Sequence, residues 1–88
     1  VRSIEAGVFY GYITEKEGCE VTMKNARWLW YWSGAASLNQ LAEEGVKCPT
    51  DCKFTVPAEE VVITNVCEIL KCSEQTIKCI DGVKVWKI

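Results

Sequence analysis

The spacing of hydrophobic and polar residues near the start of the chain predicts a β-hairpin. Residues 7–24 read GVFYGYITEKEGCEVTMK, and after the EKEG sequence Val21 and Met23 alternate with polar neighbours. Period-two alternation on both sides of a glycine-containing turn is typical of two antiparallel strands. Gly7 and Gly11 indicate a bulge, a sharp bend or close approach of another backbone or a ligand, because glycine leaves space beside a strand.

The middle of the chain predicts a third strand and a short helix. Asn25-Ala26 would connect the hairpin to the aromatic run RWLWYW, residues 27–32, and aromatic residues favour strands. Ser37 then suits the N-cap of a helix that runs to about Glu44, and Gly45 suits its C-terminal end.

The last part of the chain predicts shorter elements. FTVP and EEVVITNVCEIL indicate two strands separated at Pro57-Ala58, after a loop. Ser73 begins a second short helix, SEQTIKCI. In the tail GVKVWKI, Val83 and Val85 alternate with Lys84 and Trp86, which indicates a final strand.

Together these elements predict one domain spanning residues 1–88, of the α+β class. We expect a small, strongly bent antiparallel β-sheet or a minimal β-barrel with two short helices. A chain of 88 residues buries a limited fraction of its surface and is marginal as a monomer. We therefore expect a homo-oligomer.

Charge and composition narrow the classes of partner. The formal net charge is −2, which provides no basic face for duplex nucleic acid. No apolar run approaches the roughly 18 residues of a membrane span, so we expect no membrane partner. Hydrophobic residues make up 49% of the chain, a content typical of a folded protein rather than a disordered one.

Six cysteines in so short a chain raise the question of disulfides or zinc. The close pairs, Cys48 with Cys52 and Cys67 with Cys72, lack CxxC spacing, and the chain contains no histidine. Cys67 and Cys79 lie in apolar or helix-like runs, as small buried residues do. We favour reduced structural cysteines and expect neither a metal nor a cofactor, with zinc as the sharper alternative.

Catalysis is not expected. Without histidine, the chain lacks the commonest general base and the usual Cys–His and Ser–His pairs. Its carboxylates fall on predicted turns and helix ends, where solvated charge is ordinary. No Gly-rich phosphate-binding motif occurs. We predict no catalytic residues and a protein that is not an enzyme.

The aromatic run RWLWYW carries the main functional indication. Period two places Trp28, Trp30 and Trp32 on one face, with Arg27, Leu29 and Tyr31 on the other. Both faces are bulky, although one face of a strand in a small sheet is normally exposed to water. One interpretation is that one face fills the core and the other a subunit interface, where tryptophan and tyrosine are favoured.

The other interpretation is a flat ligand. Indole and phenol rings stack on nucleobases, arginine pairs with phosphate, and a turn of small residues at a helix start exposes anion-binding N–H groups. The candidate ligand-binding residues are Arg27, Trp30, Tyr31, Trp32, Ser33, Gly34, Ala35 and Ser37, with Phe9 and Tyr10 from the hairpin as second candidates. The loop at 47–57 adds Thr50 and Lys53.

Three segments carry a family resemblance: KNARWLWYWSGAASLNQLAEEGV, CKFTVPAEEVVITNVCEI and the ending VKVWKI. From about Gly7 onwards the chain resembles a family of small phage and prophage proteins, marked by a WYWSGAASL block followed by a Q-L-A-x-E-G-V helix. The block from Asn25 to Val46 is its most specific part. Trp28 departs from the pattern, because a basic residue is expected there, and ligand choice or affinity could differ accordingly.

The resemblance extends to phage anti-defence sponges, which bind a cyclic nucleotide messenger of bacterial CBASS or Thoeris-type immunity and hold it away from its effector. It implies a β-rich homotetramer in the cytoplasm of the infected bacterial host, with ligand held at subunit interfaces. The messenger would be a cyclic dinucleotide such as 3′,3′-cGAMP or a cyclic ADP-ribose-type signal, bound without cleavage. The alternative is a non-enzymatic phage structural or protein-interaction module that uses the aromatic strand as its interface.

Overall fold

The computed structural model describes residues 1–88 and confirms the α+β class. The six strands are β1 (Arg2–Ser3), β2 (Gly7–Glu17), β3 (Glu20–Tyr31), β4 (Lys53–Phe54), β5 (Ala58–Ile63) and β6 (Val66–Glu68). The helices are α1 (Leu38–Glu44) and α2 (Glu74–Asp81), and a 3₁₀ turn covers Pro49–Asp51. Neither helix has the length and apolar character needed to cross a membrane.

The strands form one antiparallel sheet of six strands in the order β4-β3-β2-β1-β6, and β5 also pairs with β3. The sheet does not close into a barrel, because β6 pairs with β1 and not with β5, the strand that precedes it. The barrel alternative is therefore wrong, and the open bent sheet is the form that the chain adopts.

Bulges in the long β2–β3 hairpin account for the bend. Tyr10 pairs with Arg27 but Tyr12 pairs with Lys24, so β3 carries one extra residue opposite Gly11. A second shift of register follows between Ile13 and Glu15. Bulges bend a strand and increase its twist. As a result, the hairpin folds back so that its tip lies beside β6.

Two contacts of Val66 demonstrate that return. Its N–H donates to Cys19 O at the hairpin tip, over 2.8 Å, while the same residue pairs with Ser3 of β1. Ser3 in turn pairs with Gly7, at the start of β2. The start of β2 and the tip of the hairpin are thus bridged by two short strands.

The structure confirms the bulge predicted at Gly11. It also corrects the prediction that Asn25-Ala26 connects two separate strands. A Cβ at Gly11 would lie 2.9 Å from Lys24 O and 3.0 Å from Ala26 Cα, so only glycine fits without movement of the opposite backbone. Asn25, with φ 50°, absorbs the extra residue. The predicted connection is therefore an irregularity within β3, and the aromatic run is the second half of that strand rather than a separate one.

Both predicted helices are confirmed, together with their caps. Ser37 Oγ accepts a hydrogen bond from the N–H of Gln40, and Ser73 Oγ accepts one from the N–H of Thr76, each over 3.1 Å. These bonds satisfy N–H groups that have no partner within the helix. Gly45, with φ 80°, follows the last residue of α1.

The two predictions for the end of the chain need correction. The run EEVVITNVCEIL divides into β5 and β6 because Asn65, with φ 55°, turns the chain between them. The tail makes only a parallel bridge, between Val85 and Phe54, instead of a full strand.

The core has two parts. The larger lies between the helices and the sheet, where Phe54, Leu41 and Ile80 are almost fully buried. The smaller comprises Val21, Met23, Ala26 and Ile63, in the half of the sheet nearer the hairpin tip. Strand β3 therefore contributes to both parts of the core.

All six cysteines are free thiols. Cys79 packs against the larger core, as predicted, but Cys67 is exposed. The prediction for Cys67 was wrong because the apolar run around it forms the short outer strand β6, which has one open face. No group of three or more cysteine or carboxylate side chains is arranged to hold a metal ion.

Candidate functional site: an aromatic and cationic groove

The aromatic half of β3 exposes two indoles. Leu29 is buried, while Trp28 and Trp30 are 37% and 48% exposed, as period two predicts for opposite faces. Their ring centroids lie 6.5 Å apart in an edge-to-face arrangement. Trp32 departs from the pattern because β3 ends at Tyr31, and its ring packs against the larger core.

A third indole comes from the C-terminal tail. Trp86 stacks on Trp30, with ring centroids 5.0 Å apart and planes inclined by 16°. The backbone N–H of Trp86 donates a hydrogen bond to Phe54 O over 2.9 Å. The neighbouring Val85 forms a parallel β-bridge with Phe54. The tail is therefore held by β4, and 43% of the Trp86 surface remains exposed.

Lys53 of β4 places a positive charge beside the stacked rings. Its Nζ lies 5.2 Å from the centroid of Trp30 and 5.7 Å from that of Trp86. Both distances fall within the range of a cation–π interaction. One ammonium group thus contacts both indoles at the point where they stack.

Lys53 and Trp86 line a surface groove of about 680 Å³, which we call the tail groove. One wall consists of residues 49–53, with the 3₁₀ turn, and the other consists of residues 82–87 of the tail. The charged residues that line it are Lys53, Lys84, Lys87 and Asp51. Three lysines against one aspartate give the groove a charge of +2, on a protein whose net charge is −2.

The tail groove has the chemistry needed for a flat anion. Exposed indoles provide stacking surface for a planar ring, and lysines provide charge for phosphate or carboxylate. Its volume lies within the range of about 300–1,000 Å³ that is typical of small-molecule sites. One carboxylate, that of Asp51, lies among the three lysines of the groove.

Of the residues predicted from the sequence as ligand-binding, Thr50 and Lys53 from the 47–57 loop line this groove. Trp30 is not part of the lining, but it stacks on Trp86, which is. Tyr31 is also exposed, 49% of its surface being accessible, and it pairs with Lys53 across β3 and β4. The remaining predicted residues serve the fold.

Arg27 is buried, with 5% of its surface accessible. Its guanidinium donates to four backbone carbonyls, those of Phe54, Thr55, Ile80 and Val83. Burial lowers the pKa of Arg27 while Asp81 and Tyr10 raise it, and an arginine remains protonated in proteins. With four of its five N–H donors bonded to carbonyls and its side chain buried, Arg27 is not placed to bind phosphate.

The small residues after the tryptophans form a packed corner. The N–H groups of Lys47 and Cys48 donate to Gly34 O and Ser33 O, over 3.1 and 3.3 Å. Gly34 has φ 93°, and a Cβ there would lie 2.5 Å from Lys47 N. Ala35 packs against the larger core. Close approach of another backbone therefore explains these small side chains.

At the start of α1, where a phosphate cradle was expected, two polar groups have partners within the chain. The Ser37 hydroxyl caps the helix, and the Ala36 N–H donates to Gln40 Oε1 over 2.8 Å. The Ala36 N–H and the Ser37 hydroxyl are thus engaged within the chain, whereas the backbone N–H groups of Ser33, Gly34 and Ala35 donate to no group of the protein.

The two hairpin candidates are also engaged. Phe9 packs against the smaller core. Tyr10 packs against the larger core, and its hydroxyl donates to Asp81 Oδ1 over 2.9 Å. Burial, followed by the hydrogen bond to Asp81, raises the pKa of Tyr10 well above its usual range.

Among the aromatic and basic residues of the groove, sequence reasoning missed three: Trp86, Lys84 and Lys87. A signal for two of them was present, because alternation in the tail sets Lys84 and Trp86 on the side opposite Val83 and Val85. A lysine and a tryptophan on one exposed face indicate a surface that contacts anions or rings. The contact between Trp86 and Trp30, by contrast, depends on the fold.

The fold and groove define a small α+β domain with an aromatic, cationic surface site. The family model described as Domain of unknown function (DUF6948) matches residues 1–80, and the chain belongs to this family. No curated protein sequence and no solved structure matches the chain significantly. The tail residues 82–87 of the groove lie beyond the matched segment.

Proposed function

We propose that this protein binds an anionic nucleotide in the tail groove and sequesters it without cleaving it. The observation that carries the proposal is the stacked, exposed pair of Trp30 and Trp86, with Lys53 Nζ beside both rings and two further lysines along the groove. A base stacks on an outer indole face, and the lysines neutralise the phosphates.

Within this class, a cyclic nucleotide messenger is the ligand that we propose. The resemblance of the WYWSGAASL block to phage anti-defence sponges supports a cyclic dinucleotide such as 3′,3′-cGAMP, or a cyclic ADP-ribose-type signal. The charge of +2 in the groove suits the two phosphates of such molecules. The protein would act in the cytoplasm of the infected bacterial host, where it would keep the messenger from its CBASS or Thoeris-type effector.

We further propose that the protein assembles as a homo-oligomer, with a tetramer favoured. A second, mainly apolar groove of about 400 Å³ supports self-association. It includes Tyr12, Ile13, Ile69 and Ile77, all of which are substantially exposed. Large apolar side chains grouped on the surface are typical of protein contacts.

Native mass spectrometry tests both parts of the proposal. The protein is measured alone and with a mixed panel of cyclic dinucleotides and cyclic ADP-ribose-type compounds. We expect an oligomer that gains an intact nucleotide mass, and the nucleotide is recovered unchanged after denaturation. An oligomer that takes up no nucleotide would contradict sequestration and would favour the protein-interaction alternative, whereas recovery of a cleaved nucleotide would indicate an enzyme.

A substitution assigns the binding to the tail groove. Lys53→Met retains much of the side-chain length but removes the charge beside Trp30 and Trp86. We expect the affinity for the bound nucleotide to fall about tenfold, which corresponds to roughly 1.4 kcal/mol. Lys16→Met is the matched control, because Lys16 lies in β2 and its Nζ donates to Gly18 O near the hairpin tip. Equal affinities for the two variants would place the site elsewhere.

A further inference from the structure

The two walls of the tail groove are distant in sequence, and Arg27 joins the segments that carry them. On the side of the first wall, Nε donates to Thr55 O over 3.0 Å and Nη2 to Phe54 O over 3.2 Å. On the side of the tail, Nη1 donates to Ile80 O over 2.7 Å and Nη2 to Val83 O over 3.0 Å. One guanidinium therefore bonds to the chain beside both walls.

The connection continues to the indole. Phe54 O accepts one hydrogen bond from Arg27 Nη2 and another from the backbone N–H of Trp86. This carbonyl follows Lys53, whose ammonium lies beside the stacked rings. Hence the bonds of Arg27 fix the carbonyl to which the tail is attached.

We propose that Arg27 is a positioning residue of the tail groove, which sets the separation of its walls and so the stacking of Trp86 on Trp30. The claim that Arg27 shapes a ligand-binding site rests on the proposed function. The hydrogen bonds of Arg27 and the stacking of Trp86 on Trp30 are present without a ligand. The planar, forked guanidinium directs several N–H donors along fixed lines. A lysine has three donors on one nitrogen, and it cannot reach carbonyls on both sides.

The test compares Arg27→Lys with Arg2→Lys by amide hydrogen exchange measured with NMR. Arg2 is the other arginine of the chain, and it is exposed in a pair with Glu68 at 3.7 Å. The readout is the exchange rate of the Trp86 amide relative to that of Leu41, whose N–H donates to Ser37 O in α1. Where both amides exchange by global unfolding, a loss of overall stability accelerates them together, and a change in their ratio then reports local opening of the tail.

In Arg27→Lys we expect the backbone amide of Trp86 to exchange about tenfold faster relative to that of Leu41, because the guanidinium no longer holds the Phe54 carbonyl in the position where it accepts from Trp86. In Arg2→Lys we expect an unchanged ratio. An unchanged ratio in a folded Arg27→Lys would overturn the proposal. Titration with 3′,3′-cGAMP gives a second readout, in which Arg27→Lys lowers affinity and Arg2→Lys does not.

These readouts separate the two proposals. If wild-type protein binds no cyclic nucleotide, the proposed function fails while the exchange ratio still decides the role of Arg27. If Arg27→Lys does not fold, the role of Arg27 is tested by NMR on the wild-type protein. We expect its guanidinium protons to exchange slowly and to show NMR contacts to both Thr55 and Val83. Contacts to only one of these segments would contradict the proposal.

Discussion

Replacing Gly34 with alanine should destabilise the protein through its backbone, independently of any ligand. Gly34 has φ 93°, in the region that favours glycine. The added Cβ would lie 2.5 Å from Lys47 N and 2.6 Å from Cys48 N, distances that real Cβ contacts essentially never show. These two nitrogens donate to Gly34 O and Ser33 O. To relieve the clash, the 47–48 segment has to move away from the corner.

Two contributions set the expected loss of stability: the strained backbone at residue 34 and the weakened hydrogen bonds of the displaced segment. A left-handed conformation costs a non-glycine residue about 1–2 kcal/mol. Displacement of the segment weakens two backbone hydrogen bonds, each of which contributes about 1 kcal/mol net. Gly34→Ala should therefore lower the free energy of unfolding by roughly 2–4 kcal/mol, a large share of the ~5–15 kcal/mol typical of small proteins.

Urea denaturation of Gly34→Ala and Gly18→Ala separates the contributions. Gly18 has φ 58° in the hairpin turn, and a Cβ there meets nothing within 4 Å. Gly18→Ala should therefore cost about 1–2 kcal/mol through conformation alone. The slope of free energy against urea concentration should be the same for both variants if each unfolds in two states. The difference in midpoint then measures the effect of the close backbone approach.

Equal destabilisation of the two variants would refute this reasoning, because the clash would then have no energetic consequence. A Gly34→Ala protein with wild-type stability but no nucleotide binding would restore the earlier interpretation, in which the small residues leave room for a ligand. The two explanations of the small-residue turn thus predict opposite patterns of stability and binding.

Two further predictions concern the contacts of the helices. Tyr10→Phe removes the hydroxyl bond to Asp81 and should lower stability at neutral pH by about 1 kcal/mol. Because the folded pKa of Tyr10 is raised, its contribution is fully present below the unfolded pKa of about 10 and is lost as pH rises above that value. Denaturation from pH 8 to 11 should show a difference from Tyr10→Phe that shrinks with pH, whereas a constant or growing difference would contradict this assignment. Thr76→Val preserves shape but removes the bond from Thr76 Oγ1 to Leu41 O, which joins the buried faces of α1 and α2. We expect thermal denaturation to show a loss of about 1–2 kcal/mol, and wild-type stability would argue against a role for this bond.

Local signals allowed the sequence to predict most of the elements. Ser37 and Ser73 cap the two helices as expected, because a hydroxyl three residues before an unpaired N–H needs no tertiary partner. Gly11 marked the bulge, since a strand interior rarely accepts glycine without a close neighbour. The same local reasoning divided β3 at Asn25, although pairing with β2 on both sides of the bulge keeps the strand continuous.

The sequence predicted less of the candidate site. It drew attention to the aromatic run and gave Trp30, but it also selected Arg27 and the small residues after Trp32. Arginines and glycines suit both ligand contacts and buried structural roles, and residue type alone does not separate the two. Arg27 became a structural residue because the fold places four carbonyls around its guanidinium.

By itself, then, the sequence determined the features that depend on neighbouring residues: the hairpin, the helix caps, the bulge and the alternating exposure of Leu29 and Trp30. Only the tertiary structure decided that the sheet stays open and that Gly34 packs on another loop. It also brought Trp86 onto Trp30, from positions far apart in the chain. The physical reason is that hydrogen bonding and alternation act over a few residues, whereas a stacking partner is chosen by where the core packing leaves the end of the chain.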